Sequence, residues 1–167
     1  MRSLFLLRPL RGLVRVGHRP LSTSPRALTS SSLHYEDYNT QTDPSAGSPI
    51  IIAHGMLGSS ANWTSLGKAL HKRTGRRVVA YDAINHGQSP HSKDMVTYQS
   101  MSDDAVRLIE GDLGLSKVTL IGHSMGGRTL MWTALNRPEI VDRLVVVDIS
   151  PCNKQFEVSF STFESSL

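Results

Sequence analysis

The sequence predicts an α/β fold, a parallel sheet with helices on both faces. Three observations carry the prediction. Runs such as Ile50–Ala53 and Leu144–Val147 are strand-sized and apolar at every position, so both of their faces must be covered. Segments of helical periodicity alternate with these runs. Residues that can carry chemistry gather just after the runs, at His54-Gly55, Asp82, Gly122–Gly126 and Asp148, as functional loops do at the carboxyl ends of parallel strands. The 167 residues suit one domain.

The elements follow in order. Leu33–Tyr38 alternates weakly and predicts a first strand. Asn39–Pro49 reads as a loop, with Asp43-Pro44, Gly47 and Ser48-Pro49. Ile50–Ala53 is a strand. A helix is expected near Ala61–Thr74, with the apolar Trp63, Leu66, Ala69 and Leu70 on one face and Gly75 as its stop. Arg77–Tyr81 is the next strand. Tyr98–Leu113 reads as a helix, with Met101, Ala105, Leu108, Ile109 and Asp112 along one face. Val118–Ile121 is a strand, Met125–Leu135 a helix that Arg137-Pro138 must end, and Leu144–Val147 a strand.

Composition excludes several classes. The chain is 39% apolar and 19% charged, an ordinary globular mix. Its apolar runs fall far short of the roughly 18–20 residues of a membrane helix, so no transmembrane segment is expected. The single cysteine, Cys152, rules out an internal disulfide and, with only Lys154 as a basic neighbour, reads as a plain thiol. The net charge of +4 belongs to one end. Residues 1–35 hold six arginines and no acid, while the other 132 residues carry −2. No basic patch points to nucleic acid.

The N-terminal segment is Arg-rich, Ser-rich and acid-free, with Leu4, Leu7, Leu10, Leu13 and Val14 at helical spacing. This composition predicts a mitochondrial transit peptide over residues 1–28 and a location in the matrix. Arg8, Arg11 and Arg15 interrupt any secretory apolar core. Arg19-Pro20-Leu21-Ser22 resembles a two-step processing signal, with the mature start near Thr29; a plain basic tail is the alternative reading. Asn62-Trp63-Thr64 is formally a glycosylation acceptor, which would matter only in a secreted protein, and is read as a chance match.

Gly122-His123-Ser124-Met125-Gly126 is G-x-S-x-G between a strand and a helix. A nucleophile on a strained turn needs neighbours with almost no side chain two positions before and after it. The turn would expose the Ser124 hydroxyl and set the Met125 N–H at a helix N-terminus, where it can stabilise an oxyanion. A Gly-rich turn without catalysis is the alternative. His54-Gly55-Met56 follows the earlier strand, where the second oxyanion donor would be the Met56 N–H. The His54 side chain is read as shaping this loop, and Gly55 as permitting its backbone.

With these residues in place, the chain resembles the α/β-hydrolase fold family. The match includes His54-Gly55-Met56-Leu57-Gly58-Ser59, Asp82 through Ser92, Gly122 through Gly127, and Arg137-Pro138-Glu139 leading to Val147-Asp148-Ile149-Ser150-Pro151. It is similar in particular to mitochondrial abhydrolase-domain members, and to bacterial esterases of the same fold. The resemblance implies an esterase or lipase that forms an acyl-enzyme on Ser124, acts on a small acyl ester or lipid, and uses no cofactor or metal. It also implies an association with mitochondrial 2-oxoacid dehydrogenase maintenance. Dehalogenases and epoxide hydrolases of the fold carry Asp at the elbow, against Ser124 here. The resemblance places arginine where Ile84 stands, so the loop after Asp82 is expected to be less ordered; His86 and His91 are read as structural.

The family order is serine, acid, histidine. Asp148 is a candidate triad acid, with capping of the Ile149–Pro151 turn as its alternative. All seven histidines precede Ser124, and the His123 side chain is expected to point away from it. Residues 29–151 thus read as the N-terminal part of the hydrolase core, and 152–167 as the start of a cap or a truncated tail. The chain is accordingly expected to be a poor catalyst of marginal stability with an open sheet edge after Leu144–Val147. The alternative function is a catalytically inactive isoform that binds an acyl group or a partner.

Overall fold

The computed structural model describes residues 4–7 (backbone only), 32–38 and 45–151. The Cys152 segment and most of the leader lie outside these residues. Six strands form one sheet: β1 (Leu4–Leu7), β2 (Tyr35–Asp37), β3 (Ile50–Ala53), β4 (Val78–Tyr81), β5 (Val118–His123) and β6 (Val141–Val147). Their spatial order is β1-β6-β5-β3-β4-β2. The helices are α1 (Thr64–Thr74), α2 (Tyr98–Arg107) and α3 (Met125–Asn136). The four inner strands are parallel. Both outer strands are antiparallel, β2 on β4 and β1 on β6, so the sheet is mixed rather than wholly parallel.

β3 lies between β4 and β5. The chain runs outward from β3 to β4, then crosses back over to β5. That reversal is the switch point beside which open α/β sheets hold ligands. β3 and β4 are buried at every position, because helices cover both faces. Alternate residues serve different layers. Ile50, Ile52, Val78 and Ala80 face the side where Trp63 and Leu70 pack. Ile51, Ala53, Val79 and Tyr81 join the larger core with Met101 and Ala105 from α2, Ile109 from the turn that follows it, and Leu130 from α3.

Four expectations need correction. On α1 the buried residue is Gly67, while Leu66 and Ala69 face solvent. A Cβ on Gly67 would fall 2.2 Å from the Tyr38 ring, so helix and ring meet where the side chain is missing. Past the end of α2, Leu113 rather than Asp112 reaches the core. The segment Leu108–Asp112 is a π-turn, with the Leu113 N–H bonded to the Leu108 carbonyl at 2.9 Å. One extra residue per turn rotates the face past Asp112. The helical spacing at Leu4 and Leu7 is met by a strand; Leu10, Leu13 and Val14 lie outside the described residues. The sheet edge expected to stay open at β6 is the one β1 pairs, since an edge presents unpaired N–H and C=O groups.

The boundaries otherwise shift modestly. β5 continues through Gly122 and His123, and β6 begins at Val141. Gly75 ends α1 with φ of 68°, a left-handed stop that suits glycine. No helix among the described residues is long and apolar enough to cross a membrane.

Candidate active site

β5 delivers the chain directly into the turn at Ser124, whose φ of 49° and ψ of −114° are a strained combination for a residue with a side chain. Two bonds hold it there. The Ser124 N–H donates to the Val147 carbonyl at 3.1 Å, and the Ser124 carbonyl accepts the Arg128 N–H at 3.1 Å. The flanking glycines are required by contact. A Cβ on Gly122 would lie 2.6 Å from the Gly126 carbonyl oxygen, and one on Gly126 would lie 2.5 Å from the His54 carbonyl oxygen. Met125 is the first residue of α3, so its N–H lies at the positive end of that helix.

The loop after β3 is laid against this turn. The Gly126 N–H donates to the His54 carbonyl at 3.1 Å. A Cβ on Gly55 would lie 2.6 Å from His123 Nδ1 and 3.4 Å from Ser124 Cβ, so only glycine lets the loop approach so closely. A turn bond from the Gly58 N–H to the Gly55 carbonyl, at 3.0 Å, closes the segment that contains Met56. Met56 and Leu57 carry their side chains outward, 71% and 93% exposed, and Leu57 has φ of 61°.

His54 itself is buried. Its Nε2 accepts the Ala83 N–H at 3.0 Å, and its Nδ1 lies 2.7 Å from the Gly55 carbonyl oxygen. An acceptor role at Nε2 requires the proton on Nδ1, so the ring is neutral with one tautomer fixed. Burial pushes its pKa down, against a smaller upward influence of the Gly55 carbonyl. The His86 ring sits 5.1 Å from it, tilted by 54°.

Asp82 was legible as a strand-end residue but carried no assigned role. It proves to be the knot of the neighbouring loop. Its carboxylate accepts the Ser60 N–H at 2.6 Å and the Gln88 N–H at 2.8 Å. Its carbonyl accepts the Ser89 hydroxyl at 2.6 Å. Burial raises the pKa of this carboxyl, but the Ser60 and Gln88 N–H bonds, with smaller help from the Ser60 side chain and from His34, outweigh it and hold the group below its ordinary value. Gly87, at φ of 52°, leaves room for the carboxylate. These bonds, with Asn85 Oδ1 accepting the Ser92 N–H at 2.7 Å, order the loop without the arginine, while Ile84 packs into the core. The expectation of a looser loop is thereby corrected.

Asp148 stands exposed at the end of β6 with φ of 56°. β6 pairs with β5 up to His123, so Asp148 and Ser124 follow neighbouring strand ends. The His123 ring flanks Gly55. Among the described residues, no histidine makes a hydrogen bond to the Ser124 hydroxyl: His54, His71 and His86 hold backbone carbonyls, and His34 meets Gln88. No group of three or more metal-ligating side chains occurs among the described residues. The arrangement therefore offers a hydroxyl on a strained turn, a helix N-terminus beneath it and a backbone loop beside it. Such a set suits nucleophilic attack on a carbonyl whose oxygen becomes negative.

Comparison with known proteins agrees with this geometry. The family described as alpha/beta hydrolase fold matches residues 48–163. A zebrafish (Danio rerio) protein, sn-1-specific diacylglycerol lipase ABHD11, is 43% identical over 142 residues, covering 85% of this chain and 43% of that protein. The mouse (Mus musculus) protein of the same name is 56% identical over 102 residues, 61% of this chain and 33% of its own. A solved marine microorganism esterase superposes with a TM-score of 0.61 at 38% identity, over 72% of this chain and 42% of that one. The chain spans less than half the length of each.

Proposed function

The chain belongs to the alpha/beta hydrolase family and is ABHD11-like within it, and from that premise we propose that it carries the nucleophile and oxyanion hole of a serine hydrolase of carboxylic esters. The observation that carries this reading is Ser124 on its strained, glycine-flanked turn, with the His54–Met56 loop against it. In the proposed reaction the Ser124 hydroxyl attacks the ester carbonyl carbon and gives its proton to a base. The carbonyl oxygen takes the negative charge and is held by the N–H groups of Met56 and Met125. The bond to the alcohol breaks, and the alcohol leaves with a proton. Water then attacks the acyl-enzyme, releasing the carboxylic acid and restoring Ser124.

Asp148 is the proposed triad acid, supported by its place at the strand end beside the Ser124 strand. The family order places the base, a histidine, after the acid, and no histidine follows Ser124 in the 167 residues. The substrate class is a small acyl ester or a lipid; the names of the zebrafish and mouse relatives favour a diacylglycerol. The acid-free leader supports import into the mitochondrial matrix.

One observation favours a second reading. Since no described histidine meets the Ser124 hydroxyl, the 167-residue chain would be a weak catalyst that holds an acyl group or a protein partner. The family resemblance ties such a binder to 2-oxoacid dehydrogenase maintenance. The full chain and its Ser124→Ala variant, assayed with p-nitrophenyl butyrate and a fluorophosphonate probe, separate the two. Hydrolysis predicts turnover and labelling that Ser124→Ala abolishes, with a fall in rate of about a thousandfold or more. Equal and negligible rates for both proteins would sink the hydrolase reading for this chain.

A further inference from the structure

Backbone strain gathers at one edge of the sheet. Among the described residues, four that are not glycine have positive φ: Leu57, Asn85, Ser124 and Asp148. Each lies in the loop that follows one of the parallel strands β3, β4, β5 and β6. Strained positions that persist in a fold cluster at functional sites. Three of the four have a local reason. Asn and Asp tolerate the left-handed region, and the Ser92 N–H donates to Asn85 Oδ1. Ser124 is the turn of the candidate site. Leu57 has no such reason. It is the third residue of the turn that the Gly58 N–H closes on the Gly55 carbonyl, where positive φ ordinarily selects glycine or asparagine. Its side chain is almost wholly exposed, so no packing within the fold offsets the strain, and Met56 beside it is exposed too.

The turn starts against the nucleophile. A Cβ on Gly55 would lie 3.4 Å from Ser124 Cβ. Two residues span at most about 7 Å, so the Leu57 backbone stays within that distance of Gly55. We propose that Met56 and Leu57 form the contact for the acyl chain of the ester, with Leu57 selecting long alkyl chains over short ones. The proposal rests on the hydrolase reading, since the carbonyl held by the Met56 N–H is what brings the chain to this turn. Each methylene taken out of water raises affinity by up to about fourfold, so a few carbons suffice for a marked preference. Leucine here lowers stability and serves binding, a trade that active sites commonly make.

Two methyl ketones test this, because their carbonyl fits the same donors and is not cleaved. The full chain is oxidised with hydrogen peroxide in the presence of 2-decanone or 2-hexanone, and the oxidation of each methionine is read by mass spectrometry. Met56 should be protected by 2-decanone at a concentration at least about tenfold lower than by 2-hexanone. Met95, exposed in the loop before α2, should oxidise at an unchanged rate. Leu57→Asn should erase the difference between the ketones and yet unfold at a higher urea concentration, because asparagine tolerates the positive φ. Equal protection of Met56 by the two ketones, or none by either, overturns the proposal. So does a chain-length preference that survives Leu57→Asn, or a lower urea midpoint in that variant. Equal protection of Met56 and Met95 means general adsorption and overturns it as well. Turnover of p-nitrophenyl butyrate reads the hydrolase chemistry separately. Turnover without a chain-length effect removes the Leu57 contact alone, and a chain-length effect without turnover removes the reaction alone.

Discussion

Gly126 has no room for a methyl group. Its added Cβ would press on the carbonyls of Ala53 and His54, and both are backbone atoms that cannot swing away. Gly126→Ala should therefore cost about 1–3 kcal/mol and shift the loop that carries Met56. Urea unfolding monitored by circular dichroism measures the cost, and an unchanged midpoint would contradict the contact. His54 gives a pH signature of definite sign. Its folded pKa lies below the ordinary 6.5, so the unfolded chain takes up a proton that the folded state refuses. Stability is full above about 6.5 and declines as pH falls from there toward the folded value. Asp82 acts further down, since its stabilisation is full above its unfolded value, near 3.8, and is lost as pH falls from there through the lower folded value. His54→Gln should lower the urea midpoint at pH 7.5 but flatten its fall between pH 7.5 and 5.5. A variant whose midpoint falls as steeply as that of the native chain would show that His54 is not the group responsible. The glycines around Ser124 were legible one by one, because each sits at a fixed offset in a turn of known strain. The Asp82 bonds were not, because Ser60 lies 22 residues away in sequence and meets it only in the fold.

At the scale of elements, α2 opens on a side-chain cap. Thr97 Oγ1 accepts the Ser100 N–H at 3.1 Å, and the Ser100 hydroxyl in turn accepts the Thr97 N–H at 3.0 Å. This reciprocal pair satisfies two donors that the helix start leaves without a partner. Thr97→Ala should destabilise by about 1 kcal/mol, whereas Thr97→Ser should be close to neutral; thermal melts of the three proteins make the comparison. Equal melting of the alanine and native chains would mean that water replaces the cap at no cost. The order and kind of elements after residue 50 were readable from periodicity. Faces were less so. Hydrophobicity ranks Leu66 above Gly67 for burial, yet a close approach by the Tyr38 ring selects the glycine. Likewise, no property of Asp112 or Leu113 announces the i+5 bond that exchanges them.

At the scale of the molecule, charge separates the chain into an arginine-rich end and a body of −2. The leader reading predicts that protein recovered from isolated mitochondria begins near Thr29. N-terminal sequencing checks this, and an intact Met1 or Arg2 in the organelle would refute it. The body is organised around β3, whose position between β4 and β5 brings the His54 loop and the Ser124 turn to the same crevice. Neither loop can do the proposed chemistry alone, because the oxyanion needs a donor from each.

The sequence by itself determined the alternation of strands and helices, the turn at Ser124 and the stop at Gly75. Each follows from local rules: apolar periodicity, the space two glycines leave, and the freedom of one residue at positive φ. Tertiary structure decided which strand stands between which, which face of each helix is buried, and how Asp82 and His54 lace two loops together. It also decided that both outer strands run antiparallel, since an exposed edge accepts whichever segment can satisfy its backbone groups. These outcomes depend on pairs of residues far apart in the chain, whose meeting is set by packing rather than by the identity of either one.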